Sequence, residues 1–247
     1  MVNLTDICLI PKFDKPKFVS QFRHISLCSI AYKILTKILV NRLKPVMPYL
    51  ISHYQTCFIS GRSIQENIVV AQELVHSMRN MNGKIGFFVI KVSLAKAYDR
   101  LRWAFVEKVM VEVGLPPSMV SNIMHCITQV QENILWNGPR SPFFATHRGL
   151  QQGDTLSLYL FIMSMDRLSH LIIQQEDGGW IPMKVGRNGS RISHLMFTND
   201  LLLFGQAIED QMNTINKVLK NLCDMFGQNV SQDKTSIFIF SVFDGQS

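Results

Sequence analysis

The sequence predicts an α+β domain in which antiparallel strands are covered by long amphipathic helices. Two short apolar runs flank Thr198, Asn199 and Asp200 within residues 191–204, a pattern typical of a tight hairpin of buried strands. Another apolar run, residues 87–92, enters a polar turn that leads into a helical segment. Helices are predicted over 28–44, 63–80 and 156–175, where apolar residues recur at helical spacing.

The composition of the chain limits the kinds of protein it can be. The chain has 247 residues, is 47% hydrophobic and carries a formal net charge of +7, so it can build a sizeable core and suits a polyanionic partner. We find no repeat or linker and expect one domain over 1–247. The five cysteines lack zinc-like spacing and predict reduced, mostly buried thiols. No apolar run of about 20 residues and no leader pattern are visible, which predicts an intracellular protein, nuclear or cytoplasmic, not secreted and without a membrane partner.

The N-terminal part begins with an apolar segment, residues 4–12, which we predict to be an edge strand followed by a loop over 13–22. The helix over 28–44 should then bury one apolar face. That face consists of Ile30, Ile34, Ile38 and Leu43. Its lysine-rich opposite face is either a solvated surface or a nucleic-acid contact, and the pattern alone allows both.

Gly61 and Arg62 precede the predicted helix over 63–80. A glycine lets the backbone approach a phosphate closely, and a guanidinium can grip two phosphate oxygens, so the pair suits phosphate binding. The same pair also occurs in ordinary turns.

The strand over 87–92 is followed by a polar turn, and we expect Asp99 or its neighbour to cap a helix from Leu101 to about Val113. A second helix is predicted over 118–130. Asn137 and Gly138 stand between two apolar runs and predict a hairpin turn with left-handed backbone at both residues.

A glycine-bounded turn, residues 148–157, leads into the helix over 156–175, which should end at Gly178 and Gly179. Such a turn can present backbone N–H groups and polar side chains to a base pair and its phosphates. A further helix is predicted over 207–226, with Gly227 as its stop.

Two of these stretches resemble motifs A and C of the reverse transcriptases of LINE-type (non-LTR) retrotransposons. The family's motif A is K-x-D-L-x-K-A-Y-D-R-V, and this chain has K-V-S-L-A-K-A-Y-D-R-L starting at Lys91. The family's motif C is F-A-D-D, and this chain has F-T-N-D ending at Asp200. The resemblance implies a polymerase right hand with palm and fingers, an antiparallel palm sheet with packed helices, and no thumb within this chain.

The resemblance also implies a catalytic site for two Mg²⁺ ions, about 4 Å apart, held by aspartates of motifs A and C. Ser93 and Asn199 stand where the family has two of these metal-binding aspartates, so Asp200 remains as the motif carboxylate and metal ligand. Magnesium prefers oxygen ligands, and carboxylates supply the charge that offsets it. We therefore expect binding of Mg²⁺ to be impaired and catalysis to be nearly abolished.

Further residues match the family's nucleotide-handling motifs. Arg148, Gln152 and Gly153 lie in R-G-L-Q-Q-G-D-T-L-S, similar to the family's R-G-L-R-Q-G-D-P-L-S-P. Tyr98 occupies the position of an aromatic that in the family blocks the sugar 2′-hydroxyl, although an aromatic after a strand can equally be core. The resemblance thus assigns nucleotide or template binding to these four and to Gly61, Arg62, Lys91 and Lys234, while His24 replaces a family proline.

Three functional hypotheses follow. The first is a degenerate, catalytically inactive reverse transcriptase domain whose family partners are an RNA template and a DNA primer. The second is a non-catalytic nucleic-acid-binding module that keeps a basic channel. The third is an intron-maturase type of reverse transcriptase, which the LINE-like K-A-Y-D-R-L segment disfavours.

Overall fold

The computed structural model describes residues 3–81, 85–176, 178–184 and 189–240, and the chain divides into two compact units. One unit comprises Met1–Val46 and Tyr98–Met163, and the other comprises Met47–Ala97 and Ser164–Ser247. Each unit has its own four-stranded sheet. The predicted α+β class is therefore confirmed.

Helices and short strands are interspersed along the chain. The strands are β1 (Leu4–Pro11), β2 (Phe22–Cys28), β3 (Phe87–Ser93), β4 (Gln131–Leu135), β5 (Phe144–Ala145), β6 (Met183–Lys184), β7 (Arg191–Ile192), β8 (His194–Phe197), β9 (Asp200–Gln206) and β10 (Ser236–Phe240). The helices are α1 (Ile30–Leu43), α2 (Met47–Leu50), α3 (Ile64–Arg79), α4 (Ala97–Arg100), α5 (Trp103–Glu112), α6 (Pro117–Thr128), α7 (Thr155–Glu176) and α8 (Glu209–Phe226).

The sheet of the first unit has the order β2-β1-β4-β5. Strand β1 is antiparallel to β2 and parallel to β4, so it lies inside the sheet. The prediction of an edge strand for residues 4–12 was wrong. Its parallel partner begins only at Gln131, and a pairing across that sequence distance leaves no local signal.

Helix α1 forms where it was predicted, and the Ser29 hydroxyl accepts a capping hydrogen bond from the Tyr32 N–H at 3.2 Å. Of its predicted buried face only Leu43 is buried, whereas Ile30, Ile34 and Ile38 are 79%, 58% and 48% exposed. The buried stripe has helical spacing but includes two polar residues. It consists of Tyr32, Thr36, Leu39, Val40 and Leu43. The Tyr32 hydroxyl donates to the Cys126 carbonyl at 3.2 Å, so a hydrogen bond makes this stripe suitable for burial.

Two further helices of the first unit, α5 and α6, pack on each other, and Pro117 occupies the first turn of α6. Asp99 does not cap α5, contrary to the prediction, because Arg102 occupies the N-cap position and Asp99 lies inside the short helix α4. Asn137 and Gly138 have φ values of 49° and 105°, which confirms the predicted left-handed turn between β4 and β5.

The sheet of the second unit has the order β10-β3-β9-β8, with antiparallel neighbours throughout. Helix α3 begins after Ser63, whose hydroxyl accepts from the Gln65 N–H at 3.2 Å, and α8 ends at Gly227 with φ of 76°. The apolar core between sheet and helix includes Leu74, Met78, Val89, Leu195, Phe204 and Met183. The predicted helices over 63–80 and 207–226 are confirmed.

All five cysteines are free, and Cys28, Cys57 and Cys126 are buried, as predicted. Helix α7 confirms the helix predicted over 156–175. By length and composition it could cross a membrane, as judged from its most apolar window of 18 residues. However, 72% of that window is buried inside the protein, which is typical of a core helix.

Candidate active site

The hairpin of the second unit places the predicted motif residues at one end of the sheet. Phe197 pairs with Asp200 across a two-residue turn of Thr198 and Asn199, and Ser93 at the end of β3 is the direct cross-strand partner of Asp200. Opposed residues in an antiparallel pair project from the same face with Cβ atoms roughly 5 Å apart. The predicted convergence of Ser93, Asn199 and Asp200 is therefore confirmed.

The local backbone holds this end of the sheet firmly. The Ser93 carbonyl accepts from the Ser231 N–H at 2.8 Å, and the Ser93 N–H donates to the Thr235 hydroxyl at 3.4 Å. Ser93 is only 7% exposed, whereas Asp200 is exposed. At the turn, the Thr198 hydroxyl donates to the Asn199 side-chain oxygen at 3.2 Å. These contacts order the site without adding a charged group to it.

The donor set at this end does not fit two Mg²⁺ ions. Ser93 and Asn199 are neutral, so Asp200 provides the carboxylate of the motif positions. Among the described residues, no group of three or more His, Cys, Asp or Glu side chains is arranged to hold a metal ion. Two divalent ions concentrate about four positive charges, which a single motif carboxylate does not balance.

Lys91 and Lys234 also belong to the second unit. Lys91 is exposed on β3, where Leu202 and Ser236 are its two cross-strand neighbours. Lys234 is exposed at the end of a short 3₁₀ helix, Gln232–Lys234. Both ammonium groups are therefore accessible to an anionic ligand. Their role in nucleotide binding stays a prediction.

Arg62 is placed differently from the phosphate contact that the sequence suggested. One terminal nitrogen of its guanidinium donates to the carbonyls of Ser52 and Gln55, and the other donates to the carbonyls of Pro48 and Ile51. Four of the five N–H donors are thus used inside the protein. We therefore correct the assignment of Arg62 as a phosphate-binding residue, because a guanidinium that donates to four carbonyls has little capacity left for a phosphate. Burial lowers the pKa of Arg62, and the nearby Asp166 carboxylate partly opposes that effect.

Asp166 holds the same loop through Ser52. Its carboxylate accepts from both the N–H and the hydroxyl of Ser52, at 3.0 and 2.5 Å. The loop held in this way also contacts the β8–β9 hairpin, since the Met196 N–H donates to the Tyr54 carbonyl at 2.9 Å. Gly61 has φ of 80° and open space around it, so it serves the turn that directs Arg62 inward.

The other predicted residues, Tyr98, Arg148, Gln152 and Gly153, belong to the first unit. The Tyr98 ring stacks on buried Phe161, with centroids 4.3 Å apart and planes at 14°. Gly153 has φ of 115°, and a Cβ there would lie 3.2 Å from the Ser26 carbonyl oxygen. The Ser26 N–H also donates to the Gln152 carbonyl at 2.7 Å. This glycine is therefore required for close packing of the loop on β2.

A cavity of about 200 Å³ in the first unit, lined by both apolar and charged side chains, was not anticipated from the sequence. The His24 Nε2 lies 2.7 Å from the Asp99 Oδ1, which also accepts from the Gln152 amide at 3.4 Å. Arg148 and buried Glu132 line the same cavity. Burial raises the pKa of Glu132, and the nearby His24 opposes the rise. His24, in place of a family proline, was the one sequence signal for this cluster.

Comparisons with known proteins agree with the geometry. A model of the family described as reverse transcriptase (RNA-dependent DNA polymerase) matches residues 10–242. The Pol polyprotein of the type-2 retrotransposable element R2DM of Drosophila melanogaster is 25% identical over 236 residues, covering 94% of this chain and 21% of the relative. The transposon TX1 protein of Xenopus laevis is 23% identical over 212 residues, covering 83% and 15%. The chain thus spans about a fifth or less of the length of these relatives.

Solved structures show the same fold. Telomerase from Candida albicans, solved with a fragment of telomeric RNA, superposes with a TM-score of 0.66 at 14% identity over 96% of this chain and 43% of its own. Apo telomerase from Candida tropicalis, truncated of its C-terminal domain, gives a TM-score of 0.65 at 13% identity over 100% of this chain and 51% of its own. The predicted right-hand polymerase fold is confirmed. The chain therefore belongs to the reverse transcriptase family and is a reverse transcriptase domain of the non-LTR retrotransposon type.

Proposed function

We propose that this chain is a nucleic-acid-binding reverse transcriptase domain whose metal site does not sustain polymerisation. The observation that carries the proposal is the cross-strand pair of Ser93 and Asp200, in which a neutral hydroxyl faces the remaining motif carboxylate. When bound in this family, magnesium activates the primer hydroxyl and stabilises the triphosphate. Removing one well-placed electrostatic group costs about 10²–10³ in rate, and two neutral replacements act on the same pair of ions.

Nucleic-acid binding is supported by charge and by ancestry. The chain has 25 Lys and Arg against 18 Asp and Glu, and Lys91, Arg148 and Lys234 are exposed. Phosphate contacts by such side chains give affinity with little sequence preference and a strong dependence on salt. The expected partners are an RNA template and a DNA primer, in an intracellular setting, nuclear or cytoplasmic.

Primer extension tests the catalytic half of this proposal. The full chain, given a primed RNA template, deoxynucleotides and Mg²⁺, should extend no more primer than a reaction without enzyme. Ser93→Asp combined with Asn199→Asp should restore measurable extension, whereas neither single change should. Robust extension by the unmodified chain that is lost in Asp200→Ala would overturn the proposed inactivity, because Asp200 would then be working with neutral partners.

Nucleic-acid binding is tested separately, in EDTA. An RNA–DNA duplex should bind the unmodified chain with an affinity that falls steeply between roughly 50 and 200 mM salt. A flat salt response, or no binding at low salt, would refute the binding half whatever the extension assay shows.

A further inference from the structure

Helix α1 carries a second apolar strip, which faces solvent. Ile30, Ile34 and Ile38 follow one another at a spacing of four residues and are all exposed, and the neighbouring Leu35 is 43% exposed. Residues four apart lie on the same side of a helix, so these side chains form one continuous strip. Single exposed apolar residues are ordinary, whereas a continuous strip of this kind marks an interaction surface.

The strip adjoins a groove between α1 and α6, with a volume of about 820 Å³. Leu35 and Ile38 of the strip line the groove together with the buried Leu39, and α6 contributes the exposed Asn122 and His125. We call the strip and the groove together the α1 groove. This surface is apolar along α1 and polar along α6, so it can receive a partner that has one apolar and one polar side.

The charge around the α1 groove is positive. Lys33, Lys37 and Lys44 are exposed on α1 and at its end, and the exposed Arg42 lines the groove itself. Residues 15–65 contain no Asp or Glu, and neither do residues 113–131, which include α6. Helices α1 and α6 thus contribute positive charge and no negative charge, which suits an acidic partner.

The shape of the α1 groove favours a helix as its occupant. The strip runs from Ile30 to Ile38, about 12 Å at 1.5 Å per residue, which matches an apolar face of two helical turns. A lipid surface is flat and would not fill a groove, and nucleic-acid bases stack on aromatic rings, which the strip lacks. A second copy of this chain is disfavoured, because two α1 helices would bring their lysines together.

We infer that the α1 groove binds an amphipathic helix with acidic flanks, presented by a partner protein. The apolar face of that helix packs on Leu35, Ile34 and Ile38, and its carboxylates contact Lys37 on one side and Arg42 on the other. Helices bound in this way place apolar side chains at helical spacing into a groove, while charge complementarity selects the partner. This binding needs neither nucleic acid nor the degenerate metal site, so it is independent of the proposed function.

Fluorescence anisotropy with designed peptides tests the groove. The probe is a labelled peptide of about 18 residues, five helical turns, with leucines on one face and glutamates elsewhere. The full chain should bind this acidic peptide about tenfold or more tightly than a scrambled peptide whose leucines do not share a face. It should also prefer the acidic peptide to a basic peptide that has lysine at each glutamate position.

A pair of isoleucine variants tests the apolar contact. Ile34→Gln with Ile38→Gln should weaken binding of the acidic peptide by about tenfold or more, because two contacts at the centre of the interface are lost. The matched control is Ile64→Gln with Ile68→Gln, a pair at the same spacing that is 40% and 48% exposed on α3, and it should leave the affinity unchanged. Both variants should keep the melting temperature of the unmodified chain, because the positions are exposed.

Charge reversal tests the lysine flank. Lys33→Glu with Lys37→Glu should reverse the preference, so that the basic peptide binds more tightly than the acidic one. The control is Lys217→Glu with Lys220→Glu, which changes two exposed lysines of α8 and alters the net charge by the same amount. This control should keep the original preference for the acidic peptide.

Nuclear magnetic resonance of the unmodified chain tests the surface without relying on a variant. With labelled isoleucine methyl groups, the acidic peptide should shift the signals of Ile34 and Ile38. The signals of Ile237 and Ile239, which are 54% and 70% exposed on β10, should stay in place.

Several results would overturn the inference. Absence of binding of the acidic peptide, with unshifted Ile34 and Ile38 signals, would refute it directly, as would equal weakening by the two isoleucine variants. If Ile34→Gln with Ile38→Gln abolishes binding of phosphatidylserine vesicles or dimerisation of the chain, while no peptide binds, the strip faces lipid or a second copy. Loss of RNA–DNA duplex binding in that variant, with competition by the acidic peptide, would assign the surface to nucleic acid instead.

Discussion

Ser93 and Asp200 face each other across the β3–β9 pair. Restoring the family carboxylate at position 93 would therefore place two like charges directly opposite each other. Such a pair is destabilising by roughly 0.2–1 kcal/mol in the absence of a counter-ion, and a bound cation reverses the effect.

This relationship yields a prediction about magnesium that does not depend on turnover. Ser93→Asp combined with Asn199→Asp should lower the melting temperature in EDTA, and added Mg²⁺ should raise it again. The unmodified chain should show no such dependence. Thermal unfolding and calorimetric titration with Mg²⁺ measure both effects, and Asp200→Asn added to the double variant serves as the control. If the melting temperature of the double variant does not change with Mg²⁺, the geometry of the β8–β9 hairpin and β3 is not suited to binding the metal ion.

Arg62 should behave as a structural residue. Arg62→Ala leaves four carbonyls of the loop before it without their donor and should lower the free energy of unfolding by about 3 kcal/mol. Arg62→Lys should not rescue the loss, because an ammonium lacks the planar fork that reaches all four oxygens.

Arg79→Ala is the control, since it removes the same charge from an exposed position at the end of α3 and should cost less than about 0.5 kcal/mol. Urea unfolding gives the two values. Equal small losses for both arginines, with a larger loss of nucleic-acid binding for Arg62→Ala, would restore the phosphate-binding role.

His194 predicts how stability changes with pH. Its ring is fully buried, its Nε2 lies 2.9 Å from the Ser169 hydroxyl, and burial lowers its pKa to about 3. An unfolded histidine titrates near 6.5, so between about 3 and 6.5 the unfolded state binds more protons than the folded state. Stability contributed by His194 is therefore present above about 6.5 and falls as the pH drops, by up to roughly 1.4 kcal/mol per pH unit.

Three buried acids, Glu132, Asp154 and Asp166, have pKa values raised by burial and produce the opposite slope at acidic pH. The comparison with His194→Gln isolates the histidine, because the acids are common to both proteins. Urea unfolding at about pH 5, 6 and 7 should show a smaller dependence on pH in the variant. Parallel curves would mean that His194 binds protons equally in the folded and unfolded states, contrary to a pKa lowered by burial.

Gly149 should be more sensitive to alanine than Gly138, although both have left-handed backbone. At Gly149 (φ of 92°) a Cβ would lie 2.8 Å from the Asp99 carbonyl oxygen, whereas at Gly138 (φ of 105°) it would meet nothing within 4 Å. We expect a loss of about 1 kcal/mol for Gly138→Ala and clearly more for Gly149→Ala, since backbone overlap is added to the conformational strain. Denaturant unfolding of the two variants measures the difference, and equal losses would contradict the close packing of the loop on α4.

The sequence by itself determined the secondary structure around the motifs. Short apolar runs and helical spacing are local patterns, so β3, β8, β9 and the helices α1, α3 and α7 were predicted near their observed bounds. The neutral residues at positions 93 and 199 could also be identified from the sequence, because aligning the chain with the family motifs shows where an aspartate is replaced. The strand pairing that joins Ser93 to Asp200 followed from the family resemblance and agrees with the observed register.

Tertiary structure alone decided which side chains are free to act. Arg62 was predicted to bind phosphate, yet its guanidinium donates to backbone carbonyls of the preceding loop. The conformation of that loop cannot be predicted from a local sequence pattern. Asp99 was predicted to cap a helix but faces His24, 75 residues away, and α1 buries the stripe containing Tyr32 because Cys126 supplies a hydrogen-bond acceptor. Each of these outcomes depends on partners distant in sequence, and burial energetics are fixed only when those partners are in place.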